Sequence, residues 1–319
     1  MSLYDQRVNN HQDGQATTSG WAEARRAPVR TRPKPRSIER ILLPLDMSAY
    51  AERAIPYALA LAQAANATIT LAHVSEVGHG HSTSAPSITA YLATIRGTIL
   101  AGGQRVAMRI VRGTSVVGAL SVLADSSQTD VVAIATHARQ GLEQPLLGKV
   151  GDHLIRTASA SVLIAPPELE TPSAPPAFRR ILVPLDGSRL AEQALGPALT
   201  LAQHAIEPME IVLFYVEETK DARPDGLAYL WETRAALVDE GLPETVRVIA
   251  SSLIGSPRGA IVGAATHGLT TAPDAEGPFD LLIMATHGRG GVQRWLYGSV
   301  ASYVIPRLTI PALLVHSSR

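Results

Sequence analysis

The residues best placed to do chemistry fall in two short stretches of the second half of the chain. One is VPLDGS (183–188), where Asp186 follows an apolar run. The other is MATHGRGGVQRWLYGSV (284–300), where Ala285, His287 and Gly288 lead through a glycine-rich loop to Gly298, Ser299 and Val300. Glycine lets main chain approach a ligand closely or take up positive φ, and free N–H groups at a helix start attract phosphate oxygens. By its chemistry this is a phosphate cradle, and ordinary turn glycines fit the same pattern, so both readings stand at this point. Ser299 would donate its hydroxyl to a ligand or cap the helix that follows. Asp186 suits ribose hydroxyls or an adenine amine, or it caps a helix beginning near Ser188.

Other chemistries find less support. No G-x-G-x-x-G follows the first apolar run of either half, so a dinucleotide fingerprint is missing. Gly141 and Gly148-Lys149 are not a P-loop, because six residues separate the glycines where four are needed, and Val150 replaces the magnesium-binding Ser or Thr. His137 and His287 occupy equivalent loop positions, where holding the loop by a hydrogen bond is the favoured reading over catalysis. His79 and His81 lack a clear third ligand, so no metal site is assigned. No Ser-His-Asp order or paired-carboxylate pattern stands out, and no catalytic residue is named. Cysteine is absent, which excludes disulfides, thiolate metal sites and thiol nucleophiles.

The elements that must position these residues are announced by a repeat. The segment 39–65 returns at 179–205 with a constant offset of 140, which maps Asp46 onto Asp186, and 131–150 returns at 281–300 with an offset of 150. The length of 319 residues suits two domains. They are expected at 37–167 and 178–319, joined by a proline-rich linker at 168–177. Short apolar runs alternate with helical spacing in each half, the pattern of β-α-β units around a parallel sheet buried on both faces. Strands are expected at 181–185, 210–216, 246–252, 281–286 and 311–316, with helices near 189–205, 226–240, 257–267 and 298–307. The first half repeats this with ILLPL, TITLAHV, VAMRIVR, VVAIAT and SVLIA. Ligands of such sheets sit outside the carboxyl ends of strands, where strand order reverses. Residues 1–36, basic and proline-bearing, are expected to be a disordered arm. The 28 basic and 28 acidic residues cancel, so no overall field steers the chain to nucleic acid or membrane. No apolar run reaches the roughly 18–20 residues that span a bilayer, and a cytoplasmic protein is expected.

These residues resemble the universal stress protein family in its tandem two-domain form, over nearly the whole chain after residue 37. The specific parts are VPLDGS, Tyr215-Val216 and MATHGRGGVQRWLYGSV. In ATP-binding members the loop looks like G-x-x-G, nine residues, then G-[S/T]. Here it is Ala285-x-x-Gly288, nine residues, then Gly298-Ser299, with only the first glycine changed. The resemblance implies an α/β fold of two repeated doubly wound domains, each a five-stranded mainly parallel sheet with helices on both faces, Rossmann-like and of the adenine nucleotide α-hydrolase type. It also implies Asp186 and the backbone of Val216 at the adenosine, and Gly288, Gly298, Ser299 and Val300 at the phosphates. Pro184, Ala285 and His287 complete the nucleotide-binding set.

The first half departs further, with Ala135-x-x-Ala138, nine residues, then Gly148-Lys149. Ala138 adds a methyl where a phosphate should approach and the hydroxyl is lost. Lys149 either compensates with its charge or is a solvated helix residue. This site is expected to be degenerate, with Asp46 and Val74 as its residual adenosine positions. The expected function is that of an ATP-binding stress-response regulator or adaptor, with or without magnesium beside the ATP, and no enzyme beyond slow ATP hydrolysis. The alternatives are an interaction protein with empty sites, or an ATP-using enzyme forming an adenylated intermediate. Each half ends in an apolar strand that would otherwise be an exposed edge. The halves are therefore expected to form an intramolecular pseudo-dimer through these strands, as the resemblance also implies, and the whole chain a homodimer.

Overall fold

The computed structural model describes residues 34–76, 85–126, 128–136, 148–166, 172, 174–218, 225–269, 277–286 and 298–316. Pro33–Arg319 form one compact unit. In the first half β1 (Arg40–Pro44), β2 (Thr68–Glu76), β3 (Val106–Gly113), β4 (Val131–Ala135) and β5 (Ser161–Ala165) alternate with helices. These are α1 (Ala49–Glu52), α2 (Ile55–Ala65), α3 (Ala85–Ala101), α4 (Val116–Ala124) and α5 (Lys149–Thr157). The second half supplies β6 (Arg180–Leu185), β7 (Met209–Glu217), β8 (Val246–Ile254), β9 (Leu281–Thr286) and β10 (Ala312–His316). Its helices are α6 (Leu195–Gln203), α7 (Asp225–Val238), α8 (Pro257–His267) and α9 (Ala301–Val304), with 3-10 turns at Ala191–Ala194 and Ile305–Arg307.

All ten strands join one sheet in the order β3-β2-β1-β4-β5-β10-β9-β6-β7-β8. Within each half every pairing is parallel. The halves meet at β5 and β10, which run antiparallel with Leu163 opposite Leu313, so the two apolar end strands do cover one another. Every residue of both strands is buried. The continuous apolar runs have their cause in the two faces of this sheet. Ile41, Leu43, Ile181 and Val183 pack with α2, α3, α6 and α7 on one face. Their neighbours Leu42 and Leu182 pack with α4, α5, α8 and α9 on the other. A strand with both faces covered has no place for alternation.

An aspartate before β4 and β9 fixes the starts of the central strands. Asp130 Oδ2 accepts from the N–H groups of Glu39 and Arg40 at 3.0 and 2.9 Å. Asp280 Oδ2 repeats this with Arg179 and Arg180 at 3.0 and 2.9 Å. The Arg40 guanidinium closes the first clamp, with Nη2 at 2.9 Å from Asp130 Oδ1.

Two expected boundaries move. The polar arm expected over 1–36 gives way at residue 34, because its main chain is bonded to the second half. Arg36 N donates to Gly196 O at 3.3 Å, and Arg36 O accepts from Thr200 Oγ1 at 2.8 Å. Glycine is required at 196, since a Cβ there would lie 2.9 Å from Lys34 O. Charges and prolines read as a solvated leader, and that composition carries no sign of main-chain docking. Residues 1–33 and, of the expected linker, 168–171 and 173 lie outside the described residues. The helix expected over 298–307 is also shorter, reduced to α9 and the 3-10 turn after it. Pro306, which has no N–H to donate back to the fourth preceding carbonyl, accounts for the 3-10 last turn, while the start moves to Ala301 behind the left-handed turn at Gly298. Its counterpart α5 carries no proline and runs through nine residues. Among the described residues no helix is long and apolar enough to cross a membrane.

Candidate functional site

The site follows from where the sheet splits. Strand order reverses around β1 in the first half and around β6 in the second. The pairing of β6 with β9 covers only Ile181 opposite Leu281 and Leu182 opposite Leu282, after which the strands diverge toward their carboxyl ends. The first half does the same, with Ile41 opposite Val131 and Leu42 opposite Val132. Each divergence opens a crevice at the position where such sheets hold ligands. The second-half crevice has a volume of about 260 Å³ and the first-half crevice about 330 Å³.

In the second half the described site residues converge. Pro184 and Asp186 from the end of β6, Val216 from β7, Ala285 from β9 and the run Gly298, Ser299, Val300 all line one crevice. The last β6 residue, Leu185, pairs with Tyr215, so Val216 projects one residue past the end of that ladder. Asp186 is exposed. Its Oδ1 accepts from Ser188 N at 2.9 Å, while Ser188 Oγ accepts from Ala191 N at 3.1 Å. Ser188 is therefore the cap and Asp186 closes the turn before it. That turn occupies one carboxylate oxygen, which leaves the second for a ligand.

Gly298 has φ +82°, a conformation that favours glycine. It turns the chain so that the N–H groups of Ser299, Val300 and Ala301 precede the first helical donor, Ser302 N, which bonds Gly298 O at 3.1 Å. These three early N–H groups have no intrahelical acceptor and sit at the crevice wall. With α9 only four residues long, a macrodipole contributes little here, and the main-chain donors themselves are the relevant chemistry. His287 and Gly288, like His137, Ala138, His79 and His81, lie outside the described residues.

The first-half crevice is built from the same positions. Asp46, Val74, Ala135, Gly148, Lys149 and Val150 line it, and Asp46 Oδ1 accepts from Ser48 N at 3.0 Å and Ser48 Oγ at 2.5 Å. The first helical donor of α5, Asp152 N, bonds Gly148 O at 2.9 Å, so the N–H groups of Lys149, Val150 and Gly151 take the part of those of Ser299, Val300 and Ala301. Gly148 has φ −36° and needs no glycine on conformational grounds. Met47, in the turn after Asp46, has φ +69° where the second half has Gly187 at +81°.

Sequence reasoning missed what sets the size of the two crevices. The register places Ala72 beside Pro44 and Phe214 beside Pro184, and both residues line their crevices. Phe214 is fully buried and fills floor that Ala72 leaves open. Tyr50 likewise stands where the second half has Leu190. The signal was present in the repeat, since the offset of 142 that equates Val74 with Val216 also equates Ala72 with Phe214, but only the ladder shows that these two residues stand beside Pro44 and Pro184 at the crevice floor.

The architecture is a tandem pair of doubly wound α/β domains, each with a ligand crevice at the switch point of its sheet. Comparison with known proteins gives the family. The sequence profile of the universal stress protein family matches residues 37–166 and again 177–316, and the chain belongs to that family. A universal stress protein of Mycobacterium tuberculosis is 24% identical over 202 residues, spanning 60% of this chain and 64% of that protein. A universal stress protein of Mycobacterium bovis matches to the same extent. The chain thus spans just under two thirds of the length of these relatives. Among solved structures, a universal stress protein of Archaeoglobus fulgidus superposes with TM-score 0.67 at 20% identity, covering 88% of this chain and 98% of its own. A putative universal stress protein of Pseudomonas aeruginosa gives 0.56 at 16% identity, covering 88% and 94%. At those identities the likeness is one of fold.

Proposed function

We propose that the second-half crevice binds an adenine nucleotide, ATP in the first place, and that the chain uses it as a regulatory or adaptor ligand in a stress response. The observation that carries this reading is the meeting, at one split in the sheet, of the Asp186 carboxylate with the early N–H groups behind a left-handed Gly298. A nucleoside fits the apolar wall of Pro184, Val216 and Ala285 with its sugar hydroxyls toward Asp186. The phosphates then run toward Gly298, Ser299 and Val300, where main-chain N–H groups and one hydroxyl are the donors such oxygens need. The likeness of the loop to that of ATP-binding family members points the same way.

The described residues near Gly298 are hydrogen-bond donors, and among the described residues no group of three or more His, Cys, Asp or Glu could hold a metal ion. They do not fit a dedicated magnesium site, so the ion would enter only as a companion of the phosphates. The same lining argues against turnover. Asp186 is the one ionisable group among the described residues of the crevice, and it stands at the sugar end, away from any water attacking a terminal phosphate. Turnover well below ~1 s⁻¹ is expected, under the usual enzyme range. Faster hydrolysis that Gly298→Val abolishes would overturn the regulatory reading.

The second half is the stronger site in this account. Ser299 supplies a hydroxyl where the first half has Lys149, and Gly288 stands where the first half has Ala138. Each charged-oxygen hydrogen bond is worth about 1.5–3 kcal/mol, about tenfold to more than a hundredfold in affinity. Calorimetric titration with ATP tests the assignment. Gly288→Val is expected to eliminate binding and Lys149→Ala to leave it intact. Binding lost only with the lysine change would transfer the site to the first half, and no binding at all would favour an interaction protein with empty sites.

A further inference from the structure

One end of the junction between the halves is a clasp built from both. His316, the last residue of β10, is 1% exposed. Its ring Nδ1 meets the carbonyl oxygen of Ala160, in the first half, at 2.8 Å. Since that oxygen only accepts, Nδ1 carries the proton and Nε2 is bare. Nε2 is buried and has no hydrogen-bond partner among the described residues. The carbonyl of His316 in turn accepts from Arg36 Nη1 at 2.7 Å. Arg36 belongs to the segment leading into the first half, and its main chain is bonded to Gly196 and Thr200 of α6. Each half therefore grips the other through the same two residues. The clasp is single, because the register places Pro166 where β10 has His316, and the repeat places Pro176 where the first half has Arg36.

We propose that this clasp is an acid-sensitive lock: a proton taken up by His316 releases Arg36 and loosens β10 from β5. A proton on Nε2 would bury a second cation beside the Arg36 guanidinium. From the leading segment Arg36 is the charged group acting on the ring, with Asp130 acting on Arg36 in turn. From α5 and the turn after it come only the carbonyls of Ile155, Ala158 and Ala160, which favour the proton. From β9 the register partner is the uncharged Thr286. Burial outweighs the carbonyls and, with the Arg36 charge adding to it, holds the imidazole below its ordinary range.

The direction of the pH effect follows from this. A histidine depressed in the closed state and ordinary in the open one, about 6.5, stabilises the closed junction fully above that value. The contribution is lost as pH falls below it, by at most about tenfold in the closing equilibrium per pH unit for one proton.

Amide hydrogen exchange on the full chain between pH 7.5 and 5.5, corrected for intrinsic rates, tests the lock. Protection of β5 and β10 is expected to fall below pH ~6.5, while β6 and β7, which carry no histidine, keep theirs. His316→Gln retains a donor for Ala160 O and cannot charge, so its profile is expected to be flat. Should that variant fail to fold, Arg36→Met keeps the stem and removes the cation, and its loss of protection is expected to be shallower. A flat wild-type profile, a slope unchanged in whichever variant folds, or equal loss in β6 and β7 would overturn the proposal.

Discussion

Replacing Gly298 by alanine and, separately, Gly187 by alanine should divide backbone strain from ligand contact. Both glycines lie at left-handed φ, +82° and +81°; Gly298 lines the second-half crevice, and Gly187 stands between two residues that do, Asp186 and Ser188. A Cβ at Gly187 would meet nothing within 4 Å, and the first half already carries Met47 at the equivalent turn with φ +69°. The cost there is purely conformational, about 1–2 kcal/mol for an L-residue in that region. Gly298→Ala should cost a similar amount of stability by the same argument. It should also displace the Ser299 and Val300 N–H groups, because the loop will relax its φ when it can. Losing one hydrogen bond to a charged oxygen, about 1.5–3 kcal/mol, predicts that ATP affinity falls at least about tenfold. Urea unfolding gives the first quantity and calorimetric titration the second. Equal stability loss with affinity lost only in Gly298→Ala is the expected result. Equal affinity loss in both, or unchanged affinity in Gly298→Ala with the strain cost present, would refute the placement of the phosphates.

Other consequences are direct. Cleaving the chain between 168 and 177 should leave the halves associated, held by the β5–β10 pairing; two separate monomers on gel filtration would count against the junction. Leu313→Ala at the centre of that pairing, fully buried, should cost about 2–5 kcal/mol in urea unfolding, and an unchanged midpoint would deny the seam its role. Gly268→Ala should destabilise more than Gly187→Ala, because its Cβ would overlap Gly277 O as well as carrying φ +79°; comparable thermal midpoints would contradict this.

Much of the architecture was legible in the chain because burial on both faces of a parallel sheet leaves unbroken runs such as LLIMAT, whose bounds 281–286 are those of β9. The repeat placed Asp46 and Asp186 at equivalent strand ends, and the apolar runs 161–165 and 311–316 announced strands that need a partner. What stayed hidden depends on main chain and on register. The docking of residues 34–36 uses backbone groups that no side-chain pattern advertises. The clamps from Asp130 and Asp280 join residues about a hundred positions apart. The exchange of Phe214 for Ala72 emerges only when Pro44 and Pro184 are seen beside them in the ladder. Pro306, by contrast, was in plain view and already signalled that the helix expected after Gly298 would not stay α-helical to its end.

Of the two repeated crevices, the second is the one proposed to carry the nucleotide. Native mass spectrometry of the full chain titrated with ATP counts bound nucleotides directly. A single ATP mass is expected to be added per chain at saturation and to disappear in Gly298→Val. Two equivalent additions, or one that survives Gly298→Val, would contradict it.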